Sequence, residues 1–217
     1  MKRFAIVLAA GQGKRMKSKL YKVLHPVCGK PMVGHVLQTV QQVNCERSVV
    51  VVGHGAEAVR TYLQDAAEYV LQEQQLGTGH AVKQAKELLG GEEGSTIVIC
   101  GDTPLVTSET LENLLKLHES NNAAATVLTA HMDNPKGYGR VIRGDDGSAL
   151  RIVEQKDCSP EEDAVTEINT GTYCFDNKKL FAALDNVTNQ NAQQEYYLAD
   201  CIGSLKQAGE TVLVMGV

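Results

Sequence analysis

Unbroken apolar runs punctuate the chain. Phe4–Leu8, Ser48–Val52 and Thr96–Cys100 each close on glycine or other small residues. Runs of this length and purity predict strands buried on both faces of a parallel sheet. Glu68–Leu71, Ala123–Ala130 and Thr211–Met215 are further strand candidates. Between them apolar residues recur at helical spacing: Met32, Val33, Val36, Leu37 and Val40 follow Gly29-Lys30-Pro31, where Pro31 suits a first helical position. Helices are also predicted over Glu57–Leu63, His80–Leu89, Lys178–Leu184 and Glu195–Gln207, and over a segment capped by Thr107 that uses Leu111, Leu114, Leu115 and His118. Strand and helix in alternation predict an α/β fold.

The pattern changes at Asp133. Asn134-Pro135, Gly137-Tyr138-Gly139 and Gly144-Asp145-Asp146-Gly147 read as turns between short strands. Cys158–Asp163 reads as a charged loop, and a strand runs through Phe175. Residues 133–175 therefore predict a small β-rich extension within a single domain spanning 1–217, rather than another βαβ unit.

A chain of 217 residues suits one domain and buries roughly 70% of its unfolded surface, enough for a real core. The net charge of -5 argues against a nucleic-acid partner. Cys28, Cys45, Cys100, Cys158, Cys174 and Cys201 are scattered with no CxxC pair, which predicts reduced thiols in a cytoplasmic protein and no zinc site. No apolar stretch approaches the roughly 20 residues of a spanning helix, so no membrane partner is expected. The N-terminal apolar run stops at Ala10 and leads into Gly and Lys, as a strand does and a signal peptide does not.

Chemistry concentrates after the first strand. Ala9, Ala10, Gly11 and Gly13 strip away side-chain bulk, and Lys14, Arg15, Lys17, Lys19 and Lys22 follow without an intervening acid: five of the 21 basic residues. Bare amides beside cations suit a phosphate chain. Neither common fingerprint is met, because Met16 stands where a P-loop or a dinucleotide motif needs glycine. A surface loop of solvated cations is the plain alternative. Gln72-Glu73-Gln74-Gln75-Leu76-Gly77-Thr78-Gly79 offers side-chain amides that can pair with a nucleobase edge, with Thr78 as a candidate helix cap; an ordinary polar loop is the alternative. Asp102 follows a core strand and is a candidate Mg²⁺ ligand, or else the start of a turn before Pro104. His35 and His54 read as structural.

These motifs occur together and in order: LAAGQGKRM from Leu8, Lys22-Val23-Leu24-His25, QEQQLGTGH from Gln72, CGDTPL from Cys100, Gly137-Tyr138-Gly139-Arg140, VEQKD from Val153, EINTG from Glu167 and NAQQEYY from Asn191. Over nearly its whole length the chain resembles the N-terminal domain of bacterial bifunctional N-acetylglucosamine-1-phosphate uridyltransferase/glucosamine-1-phosphate acetyltransferases. The resemblance implies a Rossmann-like fold of the nucleotide-diphospho-sugar transferase type, with a mixed, mainly parallel sheet flanked by helices. It implies that UTP and N-acetylglucosamine 1-phosphate give UDP-N-acetylglucosamine and pyrophosphate, with Mg²⁺ as cofactor, for cell-envelope precursor synthesis. Leu8, Ala9, Ala10, Gly11, Gln72, Gly77, Thr78 and Gly101 then fall at nucleotide-binding positions. Arg15 and Lys22 are the catalytic cations, Asp102 the metal ligand, and Gly139, Glu154 and Asn169 hold the sugar.

The chain departs from that family in three ways. Lys14 replaces a usual Thr, and Gln194 replaces a usual Gly. The family carries a second metal ligand, an Asn, just after the region where this chain stops at Val217, and the helical arm and β-helix that carry its acetyl transfer and trimer contacts are missing here. An incomplete metal site and no acetyltransferase activity are therefore expected, while a water is able to take the Asn's coordination position. Another sugar-1-phosphate nucleotidyltransferase and a non-catalytic UDP-sugar-binding domain are the competing readings; a nicotinamide dehydrogenase is disfavoured by the missing third glycine.

Overall fold

The computed structural model describes residues 1–13 and 16–217; Lys14 and Arg15 lie outside the described residues. The elements run β1 (Arg3–Ala9), a hairpin of β2 (Pro26–Val27) and β3 (Lys30–Pro31), α1 (Met32–Gln42), β4 (Arg47–Val52), α2 (Ala56–Leu63), β5 (Glu68–Leu71), α3 (Thr78–Lys83), α4 (Lys86–Leu89), β6 (Ser95–Cys100) and α5 (Ser108–Ser120). They continue with β7 (Ala125–His131), β8 (Arg140–Arg143), β9 (Ala149–Val153), α6 (Pro160–Asp163), β10 (Glu167–Asp176), α7 (Asn177–Leu184), α8 (Asp200–Gln207) and β11 (Val212–Gly216).

The main sheet has the order β11-β7-β10-β6-β1-β4-β5. β1 pairs in parallel with β4 on one side and β6 on the other, and β4 with β5 likewise. β10 lies antiparallel between β6 and β7, and β11 runs parallel to β7. Successive side chains of a strand point to opposite faces, and β1 feeds two cores accordingly. Ala5, Val7 and Ala9 pack with α1, α2 and α5 through Val36, Val59 and Leu111. Phe4 and Ile6 pack on the other face with α3, α7 and α8 through Val82, Leu180 and Ile202. Both faces are covered, which is why the strands read as continuous apolar runs.

The structure departs from the sequence pattern in several places. Residues 133–175 do not all leave the main sheet. β8 and β9 form an antiparallel pair at its margin, but β10 fills its interior. Cys158–Asp163 is not all loop: Ser159 and Glu162 form a reciprocal capping box that starts α6. The helix expected over His80–Leu89 breaks into α3 and α4. Of Glu195–Gln207 only Asp200–Gln207 is helical; the preceding residues instead give their backbone groups to another loop, described below.

α5 is fixed at both ends. Thr107 caps it by accepting from the Thr110 amide, and Arg3 at the start of β1 bonds Glu112 and Glu119. His118 on the same helix is 2% exposed, with Nδ1 3.0 Å from Thr126 Oγ1. Burial pushes its pKa down to about 4, against the opposing pull of Asp176 and Glu119. The unfolded chain therefore binds more protons between about pH 6.5 and pH 4, and stability falls as the pH drops through that window. His118→Gln should shrink the stability lost between pH 7.5 and pH 5 by about 2 kcal/mol. Urea unfolding at the two pH values checks this; an equal loss in both proteins would show that His118 titrates alike folded and unfolded.

Candidate active site

β1 sits where the chain changes direction across the sheet, because β4 and β5 are added on one side and β6 on the other. Crevices beyond the carboxyl ends of strands at such a point are where α/β sheets take ligands. Leu8 and Cys100 are register partners at the ends of β1 and β6, and the Gly101 amide donates to the Leu8 carbonyl at 2.8 Å. The Leu8–Gly11 stretch and the Gly101–Asp102 turn therefore leave the sheet side by side. Ala9 and Ala10 are buried and Gly11 is exposed, with open space where a Cβ would stand.

Lys22 is brought back onto this loop. At Gly13, φ is +61 and a Cβ would lie 2.6 Å from Lys22 Cβ, so only glycine lets the two segments approach this closely. Lys22 opens a 3-10 turn whose Val23 is buried, and its ammonium forms an ion pair with the Asp102 carboxylate. Both side chains keep some solvent access, at 33% and 26%. The predicted cation and the predicted metal ligand thus meet at one point. Arg15, the other predicted cation, lies outside the described residues.

The glutamine-glycine segment closes a second side. Gln72 is buried, and its amide nitrogen donates to the Gly77 carbonyl at 3.1 Å and to His80 Nδ1 at 3.0 Å. Its side-chain oxygen has no hydrogen-bond partner among the described residues. Gln75 lies close to Gly53 and bonds Gln12 at 3.2 Å, tying the segment to the β1 loop. Thr78 is not a cap. Gly77 holds the N-cap position with φ +110, and Thr78 Oγ1 accepts from the Leu198 amide at 3.0 Å. The Tyr196 amide donates to the Leu76 carbonyl and the Gly79 amide to the Tyr196 carbonyl, both at 2.8 Å. Residues 195–198 therefore brace the glycine turn instead of extending α8.

Leu8, Thr78, Gly139, Glu154, Asn169 and Tyr173 line one cleft of about 320 Å³. Asn169 donates to the Tyr173 hydroxyl at 2.6 Å and accepts from the Gly171 amide at 3.0 Å, which fixes its plane. A Cβ on Gly139 would lie 3.2 Å from Glu154 Oε1, so the backbone there stands directly against the carboxylate. Burial raises the Glu154 pKa, and Asp157, Asp200 and Glu195 raise it further. Burial, with Asp157, pushes Asp200 up to about 6. Glu154 in the cleft thus has other carboxylates for neighbours, while the Lys22 ammonium pairs with Asp102 at the strand tips. A larger hollow of about 540 Å³ lies behind the glycine turn, lined by Leu76, His80 and Tyr196 among others, and it includes none of the residues predicted to touch phosphate or sugar.

Among the described residues no group of three or more His, Cys, Asp or Glu side chains could hold a metal. Mg²⁺ does not need one: a carboxylate or two with phosphate oxygens and water suffices, and Asp102 fits as one such oxygen donor.

Residues 4–215 match the nucleotidyl transferase family. The chain belongs to that family. It is 62% identical over 211 residues to the bifunctional protein GlmU of Bacillus subtilis (strain 168), and 60% identical over 210 residues to that of Shouchella clausii. Each match covers 97% of this chain and 46% of the relative, so this nucleotidyl transferase spans about half the length of the curated relatives it matches. Among solved structures it superposes on a UDP-glucose pyrophosphorylase complexed with UDP-glucose (TM-score 0.79, 18% identity, 99% of this chain and 90% of that one). It also superposes on a putative glucose-1-phosphate thymidylyltransferase from Bacillus anthracis (TM-score 0.81, 20% identity, 99% and 87%). Those two likenesses agree with the fold read from the sequence, and the GlmU matches agree with the resemblance carried by its motifs.

The bracing role of residues 195–198 carried no signal in the hydrophobic pattern. One nearby feature did. Gln194, a position at which the family resemblance implies Gly, has φ +55, in the left-handed region where a Cβ is strained. Gln194→Gly should raise the unfolding free energy by about 0.5 kcal/mol, relief of strain being partly offset by the freer unfolded chain, and Gln194→Ala should not. Urea titrations of the two variants check this; a Gly variant less stable than the Ala variant would mean that the turn tolerates a side chain without strain.

Proposed function

We propose that this chain transfers a uridylyl group from UTP to N-acetylglucosamine 1-phosphate, giving UDP-N-acetylglucosamine and pyrophosphate, with Mg²⁺ as the divalent ion. The observation that carries this reading is the polarity of the site. Bare backbone and the Lys22–Asp102 pair stand at one end, and a cleft whose one charged lining side chain is Glu154 leads away from them. A ligand with phosphates at one end and a hydroxyl-rich body at the other fits that gradient. Hydroxyls and an amide N–H donate well to carboxylate and amide oxygens, while a second phosphate would be repelled there.

The uridine phosphates lie along Leu8–Gly11 and Gly101. The Gln72 oxygen, without a partner among the described residues, accepts from the uracil N3–H, a donor that cytosine lacks, and Gly77 and Thr78 shape the pocket for the ring. Gly139, Glu154 and Asn169 hold the amino sugar, which assigns the β-rich stretch 133–175 to sugar binding. An oxygen of the sugar phosphate attacks the α-phosphorus of UTP. The bond to the β-phosphate oxygen breaks, and pyrophosphate leaves with the electron pair. The attacking oxygen is already ionised, so no general base is required, and the protein's contribution is positioning and charge neutralisation. Lys22 stabilises charge on the transferring group, and Arg15 is assigned to the departing pyrophosphate. When bound, Mg²⁺ supplies Lewis-acid neutralisation of phosphate charge, held on the protein side by Asp102. The free cysteines suit the reducing cytoplasm, where such an activity would feed cell-envelope precursors.

Pyrophosphate release with UTP, N-acetylglucosamine 1-phosphate and Mg²⁺ tests the reading. Release should exceed that with CTP, ATP or dTTP, and that with glucose 1-phosphate, by about tenfold or more. Preference for another base or sugar would move the chain to a different nucleotidyl transferase specificity, and ligand binding without release would make it a binding domain. Asp102→Asn should abolish most of the release while changing stability by no more than about 1 kcal/mol, since its ion pair is partly exposed. Undiminished turnover would remove Asp102 from the assigned role.

A further inference from the structure

Arg140 is the largest fully buried side chain in the described protein, 1% exposed, yet it is charged and belongs to no group assigned above. It follows Gly139 directly, but its guanidinium does not line the cleft. Nη1 donates to the Pro135 carbonyl at 2.9 Å and to the Tyr138 carbonyl. Nη2 donates to Asp163 Oδ1 at 2.9 Å, and Nε and Nη2 both lie 3.4 Å from the Asp163 carbonyl. A buried guanidinium is tolerable only with its donors satisfied, and here three of its four acceptors are backbone carbonyls, those of Pro135 and Tyr138 in irregular chain. The segment Pro135–Gly139 is therefore wrapped around a planar donor fork that a lysine cannot reproduce.

That segment is a wall of the cleft: Gly137, Tyr138 and Gly139 all line it. Its other supports come from the Glu154–Asn169 side. The Gly137 amide donates to Gln155 Oε1 at 2.6 Å, and the Gly139 carbonyl accepts from the Asn169 amide at 2.9 Å. Asp163 is itself held at the end of α6, whose capping box and Arg151–Glu162 bond fix the helix. We propose that Arg140, anchored by Asp163, is a positioning residue for sugar-phosphate recognition: it holds Pro135 and Tyr138, and with them the Gly137–Tyr138 part of the wall, beside Gly139, whose backbone is already tied to Asn169, and it does so without touching the nucleotide side. This rests on the uridylyl-transfer reading for its substrate, but the fixing of the wall stands on the geometry alone.

Two measurements separate these. Hydrogen exchange of the Gly137 and Tyr138 amides in the ligand-free protein should quicken by about tenfold or more in Arg140→Lys, and to a smaller extent in Asp163→Asn. Asp163 is half exposed, so its variant should remain folded. In steady-state kinetics Arg140→Lys should raise KM for N-acetylglucosamine 1-phosphate by about tenfold and leave KM for UTP within about twofold. Asp163→Asn should move the same constant by about threefold. Unchanged exchange in Asp163→Asn, or KM values for the two substrates rising together, would overturn the proposal. A wild-type protein that releases no pyrophosphate would overturn the functional reading instead, and the exchange result would still decide whether Arg140 fixes the wall.

Discussion

The parallel pairing of β1 with β6 is the constraint from which the site follows. Leu8 stands opposite Cys100, and the Gly101 amide continues the ladder one bond past the strand end. Two chain segments distant in sequence thus turn out of the sheet within hydrogen-bond reach of each other. The first carries glycine and alanine, so it offers backbone; the second carries a carboxylate. Lys22 joins them because Gly13 has no side chain to keep it away. A small change in strand register would separate these groups, and no residue in either loop would restore them.

Charge is the second organising feature. The protein is acidic overall; Glu154 in the cleft has Asp157, Asp200 and Glu195 for neighbours, while the Lys22–Asp102 pair stands at the strand tips. Burial of Glu154 beside Asp157, Asp200 and Glu195 keeps a carboxylate in surroundings that disfavour ionisation. Such a group is useful to a ligand that brings hydroxyl and amide donors and costly to one that brings more negative charge. The site therefore has two chemically unlike ends.

The walls between these ends are irregular backbone, held by groups from elsewhere in the chain. Residues 195–198 exchange backbone bonds with the glycine turn at 76–79, and the Thr78 hydroxyl takes the next amide. The 135–139 segment closes around Arg140. Ala192 donates to Asp157 and Lys156 to Gln193, so the loop bracing the glycine turn also touches the segment that follows Glu154. The glycine turn and the Glu154 side of the cleft are thereby joined by one continuous segment, residues 192–198.

The alternation of apolar runs with helical periodicity was enough to read an α/β sheet, because strands covered on both faces admit few polar side chains. The bare loop after β1, the amides of 72–79 and the aspartate after β6 were legible for a similar reason: each needs particular residue types at a strand end, whatever the rest of the chain does. The sequence left open what depends on contacts between distant segments. The interior place of β10, the shortening of the last helix, the use of Thr78 as an acceptor for Leu198 and the wrapping of a loop around Arg140 all follow from bonds between residues far apart in the chain or outside any periodic pattern. Local propensity is silent on such partners, since backbone carbonyls and amides are the same in every residue and only folding decides which of them meet.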